Sequence, residues 1–122
     1  MQQLEGYDQM NGGTAFHIQL LSKIIDMNQY PLIKLMIEKN ISLEEYNELM
    51  EMLERLNDTY ELQQEEGLLD FTSLLIHFAG MLNEKLDPNQ TIRALRKEGY
   101  YTKLMEEFIR IVEKGETKNR RK

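Results

Sequence analysis

The sequence predicts an all-α protein, a bundle of about six helices in one domain. Three observations lead there. Apolar residues recur at spacings of three and four along most of the chain, the period of a helix face. Helix starts and stops punctuate that pattern, among them Ser42-x-x-Glu45, Gly67, Asp87-Pro88 and Gly99. No stretch alternates apolar and polar residues convincingly enough for a strand, and no fixed-period repeat occurs. The 122 residues, 41% of them hydrophobic, amount to one domain with one core.

The elements follow in order. Residues 1–13 read as a flexible arm, broken by Gly6, Gly12 and Gly13. Thr14 is a plausible cap for a first helix to about residue 28, with Phe16, Leu20, Leu21, Ile24, Ile25 and Met27 on a wide apolar face. Pro31 suits the first turn of a short second helix over 32–39, where its missing N–H costs nothing, and Asn40 can end it in the left-handed conformation. Ser42 and Glu45 form a capping box that opens a long helix over about 43–66, with Gly67 as its stop. Asp70 caps a helix over 71–83 with little polar surface. Its mid-helix Gly80 suggests close approach of another backbone. Asp87, Pro88 and Gln90 start a fifth helix, stopped by Gly99, with Ile92 and Leu95 inward. Thr102 can cap a sixth over 103–114, ended by Gly115, and 116–122 reads as a basic tail. The helical domain is thus 14–115.

Composition excludes whole classes of function. With no cysteine there is no disulfide, thiolate zinc site, iron–sulfur cluster or cysteine nucleophile. No apolar run approaches the roughly 20 residues needed to cross a bilayer, so no membrane association is expected. Residues 1–13 lack the apolar centre of a secretory leader, so a cytoplasmic setting is expected. The formal net charge is −6, and it is unevenly spread. Residues 42–66 hold nine acids and one base, whereas 93–122 hold ten bases and five acids. An acidic chain repels nucleic acid and anionic lipid unless a local patch overrides the total.

The long helix carries the main expectation. Tyr46, Leu49, Leu53, Leu56 and Tyr60 are spaced 3, 4, 3, 4, a heptad seam, and the acids fall away from it. Such a helix is about 36 Å long, while a chain this size has a radius of gyration near ~14 Å. Short neighbours would leave part of the seam wet, and exposed apolar stripes mark interaction surfaces. The expected interface is Tyr46, Leu49, Met50, Leu53, Leu56 and Tyr60, and the expected partner is a second or third copy of the chain, with another protein as a further candidate.

His17 and His77 stand sixty residues apart, with no E-x-x-H, H-E-x-x-H, G-x-S-x-G or P-loop string. His77 reads as a core or interface histidine, or as a pH-sensitive element beside a carboxylate. Glu45/Glu48 and Glu84/Asp87 resemble the carboxylate pairs with which all-α nucleotide pyrophosphatases bind magnesium. Glu45 and Glu48 lie off the apolar seam, however, and Asp87 is engaged as a cap. A helix–turn–helix-like pair around Gly99, with Arg93, Arg96, Lys97 and the basic tail, offers weak nucleic-acid binding. Glu106, Glu107 and Glu113 oppose that reading. Met50, Met52 and Met105 suit gap-filling or an adaptable surface. No catalytic residue, cofactor or metal ligand emerges.

The run Gly67-Leu-Leu-Asp-Phe-Thr-Ser-Leu-Leu-Ile-His-Phe-Ala-Gly-Met-Leu-Asn-Glu-Lys-Leu-Asp87 resembles the YhaI-like proteins, a small family of uncharacterised Bacillus-type proteins. So do Thr91-Ile-Arg-Ala-Leu-Arg-Lys-Glu-Gly-Tyr-Tyr101, Leu104-Met-Glu-Glu-Phe108, Ile18-Gln-Leu-Leu21 and Tyr30-Pro31, across about 16–114. The resemblance implies a multihelical fold, a bacterial cytosolic setting and homo-oligomers, and no activity. Asn11-Gly12-Gly13 departs from it and would shorten the first helix. The function expected is a non-enzymatic, homo-oligomeric interaction or regulatory module. A metal-dependent nucleotide hydrolase and a nucleic-acid accessory protein stand as alternatives.

Overall fold

The computed structural model describes residues 7–120, and side chains over 13–116. It contains six α-helices and no strand among those residues. In chain order they are α1 (Tyr7–Ser22), α2 (Pro31–Glu38), α3 (Leu43–Glu65), α4 (Thr72–Met81), α5 (Pro88–Glu98) and α6 (Thr102–Arg120), with a single 3-10 turn at Met27–Gln29.

Local chemistry accounts for most of these boundaries. The Ser42 hydroxyl accepts from Glu45 N at 3.1 Å, and the Glu45 carboxylate accepts from Ser42 N at 2.9 Å, completing the capping box of α3. Asp87 accepts from Gln90 N at 2.9 Å with Pro88 in the first turn of α5, and Gly99 ends that helix at φ 90°. Asn40 closes α2 in the left-handed region at φ 53°. At α4, Asp70 takes both the N–H and the hydroxyl of Thr72, and the helix starts two residues after it.

Four expectations need correction. Helix α1 begins at Tyr7 and runs through Gly12-Gly13, so residues 7–13 are helix; residues 1–6 lie outside the described residues. It ends at Ser22, and the chain then turns through Met27–Gln29 where continued helix was expected to residue 28. Helix α6 passes Gly115 and reaches Arg120, so 116–120 is not a separate tail; residues 121–122 lie outside the described residues. Gly80 faces open space, with nothing within 4 Å of where a Cβ would sit, and Ile76 is 66% exposed. No backbone approaches α4 there, and α4 is a surface helix with one inner stripe, Leu74 and Phe78.

The core is one cluster. Helix α5 packs against α2 on one side and α6 on the other, while α4 rests on α3 and α6. Leu53, Phe78, Leu95, Leu104, Met105 and Phe108 are fully enclosed. Tyr60 meets Phe71 edge-on at 4.8 Å, and Phe78 tilts against Phe108 at 5.7 Å. The largest difference from expectation lies in α3. Leu49, Leu53, Leu56 and Tyr60 are all buried in the chain's own core, and Tyr46 and Met50 are half-buried against it. The short helices suffice because residues between them add to the cover: Phe71 and Leu86 lie outside any helix and are buried in the same cluster. The premise that the seam stays wet does not hold, and these six residues are not a free surface of the protomer.

Candidate functional site

The unpartnered apolar surface lies instead at the N-terminal end. Of the α1 side chains described, from 13 to 22, none is buried. Phe16 and Leu20 stand four residues apart and form one ridge, which Ile24 extends just beyond the helix at 80% exposure. Leu21 and Ile25 lie beside it and are also exposed. On α2, Leu32, Leu35 and Met36 turn to the core while Ile33 and Ile37 remain outside. Between the two helices lies a cleft of about 590 Å³, bordered by Ile18, Ser22, Ile25, Lys34, Ile37 and Glu38.

This surface is electrically balanced. Residues 14–39 hold Lys23, Lys34 and Lys39 against Asp26 and Glu38. The outer face of α3 differs sharply, since Glu44, Glu48, Glu51, Glu54, Asp58, Glu61 and Glu65 are all acidic. Two copies meeting by α3 would press like charges together, whereas two copies meeting by α1 and α2 would not.

The base of α2 is anchored by a contact that sequence periodicity did not reveal. Glu98, at the last turn of α5, accepts from the backbone N–H groups of both Leu32 and Ile33, the latter at 3.0 Å. A carboxylate at the start of a helix opposes the positive end of its dipole and satisfies two orphan donors. The sequence held one signal for this. Glu98 follows Arg96 and Lys97 at a C-terminal turn, where an acid is unfavourable unless it serves another element.

Two of the carboxylates considered for metal chemistry, Glu45 and Asp87, have other partners. Glu45 Oε1 accepts from Ser42 N and from Lys85 Nζ at 2.8 Å, and Oε2 accepts from Asn83 Nδ2 at 2.8 Å. Lys85 also donates to the Asn40 carbonyl at 3.2 Å. The hydrogen bonds from Lys85, Ser42 and Asn83 hold the Glu45 carboxyl well below its usual range, at about 2. Asp87 is the α5 cap. Among the described residues no three His, Asp or Glu side chains gather where they could share an ion. His77 is exposed on α4, neither core nor beside a carboxylate partner, and lines a groove with Arg55 and Ser73. Met52 and Met105 fill core space, leaving Met50 half-buried.

Three arginines of α5 and α6 are met by acids of the same hairpin. Arg96 approaches Glu106 at 3.4 Å, Arg93 approaches Glu113 at 3.9 Å, and Arg110 pairs with Glu107 one turn before it. Exposed pairs of this kind add little stability, but they offset the positive field that phosphates would seek.

What fold and surface define is a small all-helical domain with a closed core and an apolar N-terminal face, with its best-placed carboxylates engaged in structural hydrogen bonds. No described helix is long and apolar enough to cross a membrane. The chain belongs to a family described as protein of unknown function (DUF1878), whose model matches residues 9–113. The match takes in α2 to α5 whole, most of α1 and α6 as far as residue 113, so the apolar face and the core fall within the same family unit.

Proposed function

We propose that this protein is a non-enzymatic interaction module that assembles with copies of itself through the apolar face of α1 and α2. One observation carries the reading: α1 holds a ridge of large apolar side chains that its own chain does not cover. Phe16, Leu20, Leu21, Ile24, Ile25, Ile33 and Ile37 are each at least 40% exposed. Together they present on the order of 600 Å² of apolar surface, near the ~800 Å² that each partner contributes to a standard interface. That is at the upper end of what a monomer leaves exposed.

Helix stability argues the same way. An isolated helix of 12–15 residues is marginal in water, and α1 has 16 residues, with two adjacent glycines inside it. Each glycine costs about 1 kcal/mol against alanine. Covering the ridge gives about 1.5–3 kcal/mol per large side chain buried, enough to hold such a helix in place. The near-neutral charge of this face suits contact with an identical face. Two or three copies fit the reading. A bacterial cytoplasmic setting and kinship with the YhaI-like proteins of Bacillus type belong to the same proposal.

The test is light scattering coupled to size-exclusion chromatography on the full chain and on a Leu20→Glu/Ile24→Glu variant. The wild-type chain should elute as an assembly and the variant as a 14.5 kDa monomer that keeps a helical far-UV circular dichroism spectrum. A monomeric wild-type chain at tens of micromolar, or a variant that still assembles, contradicts the proposal.

A further inference from the structure

A second surface, separate from the α1 ridge, runs between α3 and α4. Two clefts of about 190 and 450 Å³ lie end to end there and share Met52, Arg55 and Met81. Together they follow α3 from Glu45 to Gln63, a length of about 27 Å at 1.5 Å per residue. The floor is apolar, with Met52, Leu56 and Leu74 buried beneath it.

The two walls differ in chemistry. The α3 wall carries Glu48 and Glu51, and Arg55 is the one base on that helix. The α4 wall has no charged residue along its ten positions apart from the titratable His77, and exposes Met81. At the far end of the groove, the side-chain oxygen of Gln63 is buried without a hydrogen-bond partner. An unsatisfied buried acceptor costs about 1–3 kcal/mol until a donor reaches it.

We infer that this groove receives a basic amphipathic helix from a partner protein, with its Lys or Arg stripe toward Glu48 and Glu51 and its apolar stripe on Met81 and the α4 wall. Charge complementarity selects the occupant. At the end lined by Glu48 and Glu51 the α3 wall is anionic, Arg55 stands where the two clefts meet, and the opposite wall is apolar, so the complement is cationic where it meets Glu48 and Glu51 and apolar on its other edge. A length of 27 Å corresponds to about five helical turns.

The test uses a fluorescein-labelled model helix of about 18 residues, with Leu along one stripe and Lys along its flank, and a counterpart with Glu replacing Lys. Anisotropy is measured against the full-length protein at low ionic strength. The Lys peptide should bind and the Glu peptide should not. Glu48→Lys/Glu51→Lys and Met81→Lys should each weaken binding about tenfold. Glu54→Lys/Glu61→Lys, which changes the same charge on the Tyr101 side of α3, should leave it within about twofold. Equal loss in that control pair would mean generic attraction to an acidic protein and overturn the inference. Loss of binding in Leu20→Glu would place the peptide on α1 and overturn it equally. Binding that tightens about tenfold when residues 117–122 are removed would make the chain's own basic end the occupant.

Discussion

Glu45 joins three parts of the chain. Its carboxylate caps α3 through Ser42 N, pairs with Lys85 Nζ and accepts from Asn83 Nδ2, tying the start of α3 to the loop between α4 and α5. With its folded pKa at about 2, below the usual 4.5, the folded state binds this proton more weakly than the unfolded chain does. The stabilisation from this carboxylate is therefore fully present above the usual value and is lost as pH falls through 4.5 toward 2. Thermal melts of the wild-type chain and Glu45→Gln should differ at pH 6 and converge near pH 2; parallel curves would show that the contact carries no linkage. Glu98→Gln should cost about 1–2 kcal/mol in urea unfolding, because a charge-assisted contact to two N–H groups of α2 becomes a neutral one. The capping box and the Asp87 start could be read directly from the sequence, since both partners sit within four residues. The Glu98 clasp could not, because its partners stand 65 and 66 residues away.

Among the elements, α3 shows where periodicity is informative and where it is silent. The 3-4 spacing of Leu49, Leu53, Leu56 and Tyr60 correctly marks one buried stripe. It does not say whose atoms cover that stripe. Comparing helix length with chain size treated the neighbours as helices alone, whereas Phe71 and Leu86 cover the core from outside any helix. Leu53→Ala should accordingly destabilise the protomer by about 2–5 kcal/mol in denaturant, an effect that does not vary with protein concentration if the stripe is core. Helix α1 taught the opposite lesson. Its apolar face was legible in the sequence, but Gly12-Gly13 suggested a break that helical continuity overrides. In α4, Gly80 was read as a close approach and instead faces solvent. Gly80→Ala should therefore stabilise the protein by up to about 1 kcal/mol, measured as a rise in Tm, with no clash to offset the gain.

At the scale of the whole molecule, charge and apolar surface are segregated. Acids cover the outside of α3, Arg93, Arg96 and Arg110 lie beside acids of their own hairpin, and the largest group of exposed apolar side chains lies at α1, α2 and the turn between them. A closed core beside an open apolar face supports the proposed self-association through α1 and α2, in place of the α3 seam that the sequence suggests and that the chain's own core covers. Sedimentation equilibrium of the wild-type chain beside Leu20→Glu/Ile24→Glu, across micromolar concentrations, tests this most directly. The account requires a wild-type mass that is a multiple of 14.5 kDa and a variant mass of one chain, with equal urea midpoints once both are diluted to monomer. A wild-type chain that stays at one protomer's mass throughout, or a variant that keeps the wild-type mass, would contradict it.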